Sequence, residues 1–262
     1  MDLFFLQLLL SFLVGGIWIA AASMLAEWAG TKIGGFIASL PSTIVVSMLF
    51  IGVTEGATTA VIATGVVPLI IGLEGIFLVV YALIVRRGLV QGLSAAFLVW
   101  LFASTAIVLV QYADIVSSLV AYVALLLFSY YCLEHVMHIP SGEKTTKVFS
   151  LTQLLVRAVL SGAVVTTTVL LTRLGGPILG GVMSTFPAAF IATLTIGYIT
   201  NGWEFSRGLT KPLLCGTITI VVFALGVRFM YVPLGVFYGT FCAYVLSLLA
   251  GVIVYPFIQR LR

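Results

Sequence analysis

Charge is what this sequence has least of. Of its 262 residues only 8% are Asp, Glu, Lys or Arg, whereas 62% are hydrophobic, and the mean hydropathy is +1.27. A soluble globular domain carries roughly a quarter charged residues, so the scarcity excludes a soluble fold and implies an integral membrane protein. Histidine is limited to His135 and His138. There is no His-Glu-x-x-His, no phosphate loop, no Gly-x-Ser-x-Gly elbow and no pair of intramembrane aspartates. An intramembrane hydrolase would lack its parts, and no enzyme is expected. Cysteine is limited to Cys132, Cys215 and Cys242, all in apolar stretches and without metal-type spacing. They read as buried, reduced, small apolar residues, so neither a metal nor another cofactor is expected. Met1-Asp2 supplies no basic n-region, and a cleavable signal peptide is not expected. The twelve basic residues and net charge of +4 are scattered through loops, which argues against nucleic acid as a partner.

What is there is a series of nine hydrophobic stretches, at approximately 3–26, 33–53, 60–85, 88–110, 115–137, 151–172, 177–199, 209–227 and 232–257. A span needs roughly 20 apolar residues, so the chain has room for about ten. The linkers are short except at 138–150, the one polar segment. With nine spans, Lys32, Arg86, Arg87, Lys144, Lys147, Arg207, Lys211, Arg260 and Arg262 fall on one side. Arg173 and Arg228 fall on the other, and Arg157 stays inside the sixth span. Nine against two places the N-terminus outside a cell membrane and the C-terminus in the cytoplasm. A seven-span alternative would split the same charges five against six and leave no bias.

One phrase occurs twice. Gly34-Gly35-Phe36-Ile37-Ala38-Ser39-Leu40-Pro41 reappears as Gly180-Gly181-Val182-Met183-Ser184-Thr185-Phe186-Pro187, shifted by 146. Gln7 and Gln153, Gly16 and Gly162, Gly30 and Gly176, and Gly56 and Gly202 share that offset. Pro68 to Gly72 then meets Pro212 to Gly216 with a slip of two residues. Spans one to four thus match six to nine, and the fifth has no counterpart. Five spans separate equivalent points, so the second unit enters the bilayer in the opposite sense. The expected architecture is all-α, with nine transmembrane helices and breaks in helices 2 and 7. Two inverted four-helix repeats, 1–112 and 150–262, are joined by a linking helix and loop at 113–149. Each unit is a span, a Gly-Gly…Pro break in the next, a short turn ending in glycine, and two more spans. That order resembles the small GlpM-like four-helix inner-membrane proteins, most clearly at 33–56. The resemblance implies a four-span ancestor that assembled as an antiparallel pair, and it supplies no site residues.

A proline behind a glycine pair at lipid depth marks a discontinuous helix of the kind that surrounds transport sites. Pro41 lies roughly 13 Å past Lys32 and Pro187 roughly 16 Å past Gly176, both near the middle of a core about 30 Å thick. A helix restarted at proline leaves its early N–H groups without partners, and lipid cannot satisfy them. Ser39, Ser42, Thr43, Ser184 and Thr185 add hydroxyls at the same depth, which makes them, with Pro41 and Pro187, the candidate substrate-binding residues. The alternative is hydroxyls bonded back to their own carbonyls and glycines used for close packing. Glu74 in the third span and Arg157 in the sixth are charges unique to one half. Intramembrane charges mark pathways or proton sites, so Glu74 is the candidate proton carrier and Arg157 a candidate substrate ligand or partner of Glu74. Glu134 and His138 stand four apart on one helical face, beside His135, but two ligands fall short of a metal site.

These features point to a secondary transporter of a small polar solute working by alternating access. Donor ends with Arg157 favour an anionic solute, whereas acceptor ends would suit a cation. The partners expected are that solute or ion and the lipid bilayer, with a homo-oligomer left open. The rival readings are a lipid-handling protein, either a flippase or an envelope-assembly component, and a channel or structural subunit.

Overall fold

The computed structural model describes residues 3–28, 41–139 and 151–260, and among these every regular element is a helix. In lipid a backbone must satisfy its own hydrogen bonds, and a helix does so within one segment. Helix α1 is Leu3–Trp28, α2 is Ser42–Thr54, α3 is the short Ala57–Ala63 and α4 is Val67–Ile84. A 3₁₀ turn, Val85–Arg87, leads to α5, Leu89–Val110. Helix α6, Ile115–Tyr131, begins at Asp114, whose carboxylate caps the Ser117 N–H, and ends in a π turn at Cys132–Val136. Three long helices complete the chain: α7, Leu151–Ser184; α8, Ala188–Gly208; and α9, Thr210–Arg260.

Six stretches among the described residues are long and apolar enough to cross a membrane. Two of them, 56 and 47 residues long, exceed what one passage needs. Glycines with non-helical backbone divide them: Gly176 (φ 85°), Gly202 (φ 85°) and Gly235 (φ 77°). At each the chain doubles back. A Cβ on Gly180 would collide with Thr172, and one on Gly239 would lie 2.8 Å from Tyr231. The Ser206 hydroxyl reaches across Gly202 to the Leu194 carbonyl at 2.7 Å. Glycine alone takes such φ values without strain, so the reversals need no loop. Gly176 and Gly202 fall between the hydrophobic stretches drawn from sequence, whereas Gly235 falls just inside the ninth.

One expectation needs correction. The third stretch reads as continuous from 60 to 85, but the chain turns between α3 and α4, at residues 64–66. Pro68 then sits in the first turn of α4, where a missing N–H is no loss.

Helix α4 is the axis of the bundle. Two thirds of its apolar window is buried, against 17% for α5 and for α6. Its sequence is hydrophobic all round, as a fully enclosed helix requires. Ile70, Phe77, Leu78, Tyr81 and Ala82 are all fully buried on it. The Tyr81 hydroxyl shares a hydrogen bond of 2.5 Å with Ser206 Oγ on the far arm of α8. Tyr81→Phe should therefore cost about 1–2 kcal/mol in a detergent unfolding titration, since it leaves a buried hydroxyl short of a partner.

Two further contacts organise the packing. Helix α1 runs antiparallel to the 151–175 arm of α7: Arg173 lies over the Phe4 ring at 3.9 Å, and Ser11 Oγ meets Thr166 Oγ1 at 3.2 Å. At the crossing, a Cβ on Gly16 would lie 3.1 Å from the Ala158 carbonyl oxygen, and one on Gly162 would lie 2.6 Å from that of Phe12. Elsewhere, α5 buries Gly92, Ala96, Trp100 and Ser104, one residue per turn. The last arm of α9 buries Gly239, Ala243, Ser247 and Gly251, the same stripe displaced by 147.

Candidate functional site

Pro41 and Pro187 occupy equivalent places, each as the residue before a helix. Their backbones are at φ −75°, ψ 60° and φ −73°, ψ 32°, and no side chain caps α2 or α8. The first helical bonds are accepted by the prolines themselves, from Val45 at 3.2 Å and from Ile191 at 2.9 Å. Among the described residues the N–H groups of Ser42, Thr43, Ile44, Ala189 and Phe190 have no backbone partner. These are the orphan donors that every helix start leaves.

Both helix starts open onto one cavity of about 80 Å³. A water needs roughly 10–15 Å³ on this scale, so the space holds a handful of waters or one small solute. Its walls bring together Pro41, Ser42, Thr43, Ser184, Thr185 and Pro187. Ser39, the remaining hydroxyl of the first break, lies outside the described residues. The acceptor side of the second break is largely closed. Ser184 Oγ donates to the Gly181 carbonyl at 2.7 Å, and Thr185 Oγ1 to that of Val182 at 2.9 Å. The Phe186 N–H takes the Met183 carbonyl at 3.1 Å. The alternative use of hydroxyls anticipated from sequence is thus what Ser184 and Thr185 do, which leaves their lone pairs but not their protons available. No such bond engages Ser42 or Thr43 among the described residues.

Glu74 enters the cavity from α4. It is 3% exposed, and among the described residues no hydrogen-bond or ion-pair partner meets it. Ile220 on α9, offset from Glu74 by 146, also lines the cavity, so the repeat supplies a carboxyl from one half and an alkyl chain from the other. Arg157 does not line this space. It is half-buried on the 151–175 arm of α7, and its counterpart at the offset, Ser11, faces α7 rather than the cavity. The suggested pairing of Glu74 with Arg157 is absent among the described ion pairs.

Residues that sequence reasoning passed over complete the walls: Phe190, Thr193, Leu213 and Gly216. Gly216 closes the Pro212-to-Gly216 phrase that repeats Pro68 to Gly72, and that repetition was its available signal. A second feature was missed outright. Lys211, counted from sequence among the loop charges, is buried at the start of α9, and its Nζ lies 2.5 Å from Glu134 Oε2 on the π turn. Glu134 therefore serves an ion pair. His135 instead lies against the ring of Tyr131, at 5.4 Å.

The fold and the site together define an all-helical protein with the make-up of a multi-pass membrane protein, holding a small chamber, with hydroxyls and one carboxyl in a mainly apolar wall, at two helix starts that follow prolines. The profile of one family, described as a protein of unknown function (DUF3147), matches residues 8–113. No curated protein and no solved structure matches the chain.

Proposed function

We propose that this chain is a secondary transporter that carries a small polar solute by alternating access and couples it to protons through Glu74. One observation carries the reading: a single chamber collects the starts of the helices that follow Pro41 and Pro187 and a buried carboxyl group on the central helix. Helix ends bare at mid-depth are tolerated only where they face protein, water or a ligand. Ser42, Thr43, Ser184 and Thr185 would contact the solute, with Ser39 from the same phrase as Pro41.

In this reading the chain crosses a cell membrane nine times, N-terminus outside, as two inverted four-helix units at 1–112 and 150–262 joined by 113–149. Each unit would descend from a four-span ancestor of the GlpM-like kind. The glycine reversals at 176, 202 and 235 supply the turns that nine crossings need. The contact of Gly16 with Ala158 and that of Gly162 with Phe12 become one another under the 146 shift. A two-fold relation between units makes contacts reciprocal in this way. The matching buried stripes of α5 and α9 argue in the same direction, and the family match ends at 113, where the first unit ends. A lipid-handling role is less well supported, because about 80 Å³ does not admit a phospholipid headgroup with its chains.

The test uses proteoliposomes loaded with a pH-sensitive dye and challenged with gradients of small inorganic and organic solutes. Wild-type protein should move protons with at least one solute, and Glu74→Gln should reduce that movement tenfold or more. Absence of solute-dependent proton movement across the panel, or undiminished movement in Glu74→Gln, overturns the proposal.

A further inference from the structure

We infer that the chamber binds a small monovalent anion, and that this anion and the ionised carboxylate of Glu74 exclude one another, so that each anion bound brings one proton with it. The coupling to transport rests on the reading above, whereas the binding site stands on the chamber alone.

The balance of donors and acceptors decides the sign of the ligand. N–H groups at the starts of α2 and α8, without a backbone partner among the described residues, line the space, together with the hydroxyls of Ser42, Thr43 and Thr193. The neighbouring carbonyls of Gly181, Val182 and Met183 are already engaged. A cation would find the lone pairs of Ser184 and Thr185 and the carboxyl of Glu74, but the two helix starts offset the charge with which Glu74 would hold it.

Charge then sets the valence. Each helix N-terminus acts as roughly half a positive charge, so two of them amount to about one. Helix α2 has 13 residues and α8 runs from Ala188 to its reversal at Gly202, long enough for both dipoles to be developed. Ionised Glu74 cancels that charge and leaves nothing for an anion to neutralise. Protonated Glu74 leaves about one positive charge, matched by one monovalent anion. A volume near 80 Å³ limits that anion to the size of chloride, nitrate, formate or acetate.

The surroundings of Glu74 leave this competition undisturbed. Tyr122 of α6 lies near Glu74, and its hydroxyl shares a hydrogen bond with that of Thr217 at 3.0 Å. Cys215 of α9 sits next to the cavity-lining Gly216, and neither it nor Tyr122 is charged near neutral pH. Lys211 of α9 and Glu134 of the π turn hold one another. Helices α2 and α5 carry no titratable side chain.

The experiment measures binding of chloride, nitrate and formate to purified protein in detergent by calorimetry. The fluorescence of Trp100, whose ring lies 5.5 Å from that of the chamber residue Phe186, is a second readout. Wild-type affinity should fall tenfold per pH unit above the pH at which Glu74 ionises, with one proton taken up per anion. Glu74→Gln should bind at the low-pH affinity at every pH, and Glu74→Ala should do the same if glutamine perturbs folding. Three results overturn the inference: wild-type affinity independent of pH, loss of anion binding in both variants, or binding of sodium or potassium that strengthens as pH rises. Anion binding of the expected kind in a protein that moves no solute would keep the site and remove the transporter. Proton-coupled flux of a solute without anion binding would do the reverse.

Discussion

Replacing Glu134 with glutamine should cost this protein about 3 kcal/mol, while replacing its partner Lys211 with methionine should cost under about 1 kcal/mol. The two losses differ because the two ends of the ion pair live in different places. The Lys211 side chain is 2% exposed and that of Glu134 is 31% exposed. Removing the carboxylate leaves an ammonium out of reach of bulk water, with its desolvation no longer offset by the charge 2.5 Å away. Removing the lysine leaves a carboxylate that solvent already reaches, and methionine fills much the same volume with no charge to bury. The double variant, Glu134→Gln with Lys211→Met, should recover most of the loss. Thermal unfolding of the four proteins in one detergent measures this directly. Equal losses for the two single variants, or a double variant no better than Glu134→Gln, would show that the pair does not carry the contact between the π turn and α9.

The helix starts after Pro41 and Pro187 and the isolation of Glu74 are legible in the sequence because lipid imposes its demands locally. A proline behind two glycines interrupts a helix whatever packs around it, and a lone carboxyl deep in a span has to face something polar. Where a side chain points around its helix is another matter. Arg157 and Glu74 read alike as intramembrane charges unique to one half, yet Arg157 does not line the cavity, on an arm of α7 that meets α1 through Gly162. Nothing in the local sequence fixes which face that is. Lys211 was hidden for a related reason: a charge at the head of a span reads the same whether it points to water or, as here, to Glu134. The π turn that aims Glu134 at it has no compositional mark. The turn between α3 and α4 is silent because both sides of it are apolar, so hydropathy runs on without a break.

The largest loss expected from a residue with no polar group is at the crossing of α1 and α7. Gly162→Ile should cost about 3 kcal/mol, and Gly16→Ile about 1–2 kcal/mol. At Gly162 the added Cβ would stand 2.6 Å from the Phe12 carbonyl oxygen and 3.1 Å from the Phe12 ring, and at Gly16 it would stand 3.1 Å from the Ala158 carbonyl oxygen. A carbonyl oxygen in a helix cannot swing aside as a side-chain tip can, so the two helices must separate. Dispersion along a helix pair falls steeply with the first ångström of gap, and small residues are what permit such close approach in membranes. The ranking follows from clearance alone. That both positions should be damaging follows from their reciprocity, since each glycine receives the other helix at the residue 146 positions from its partner's contact. The two substitutions act on one interface, so their effects should combine to less than the sum once the helices have already parted. Unfolding in detergent, with Val159→Ile on the exposed face of the same arm as a reference, provides the scale. A Gly162→Ile protein as stable as Val159→Ile would mean that α1 and α7 do not meet at this point, and the reciprocal contact on which the two-fold relation leans would go with it.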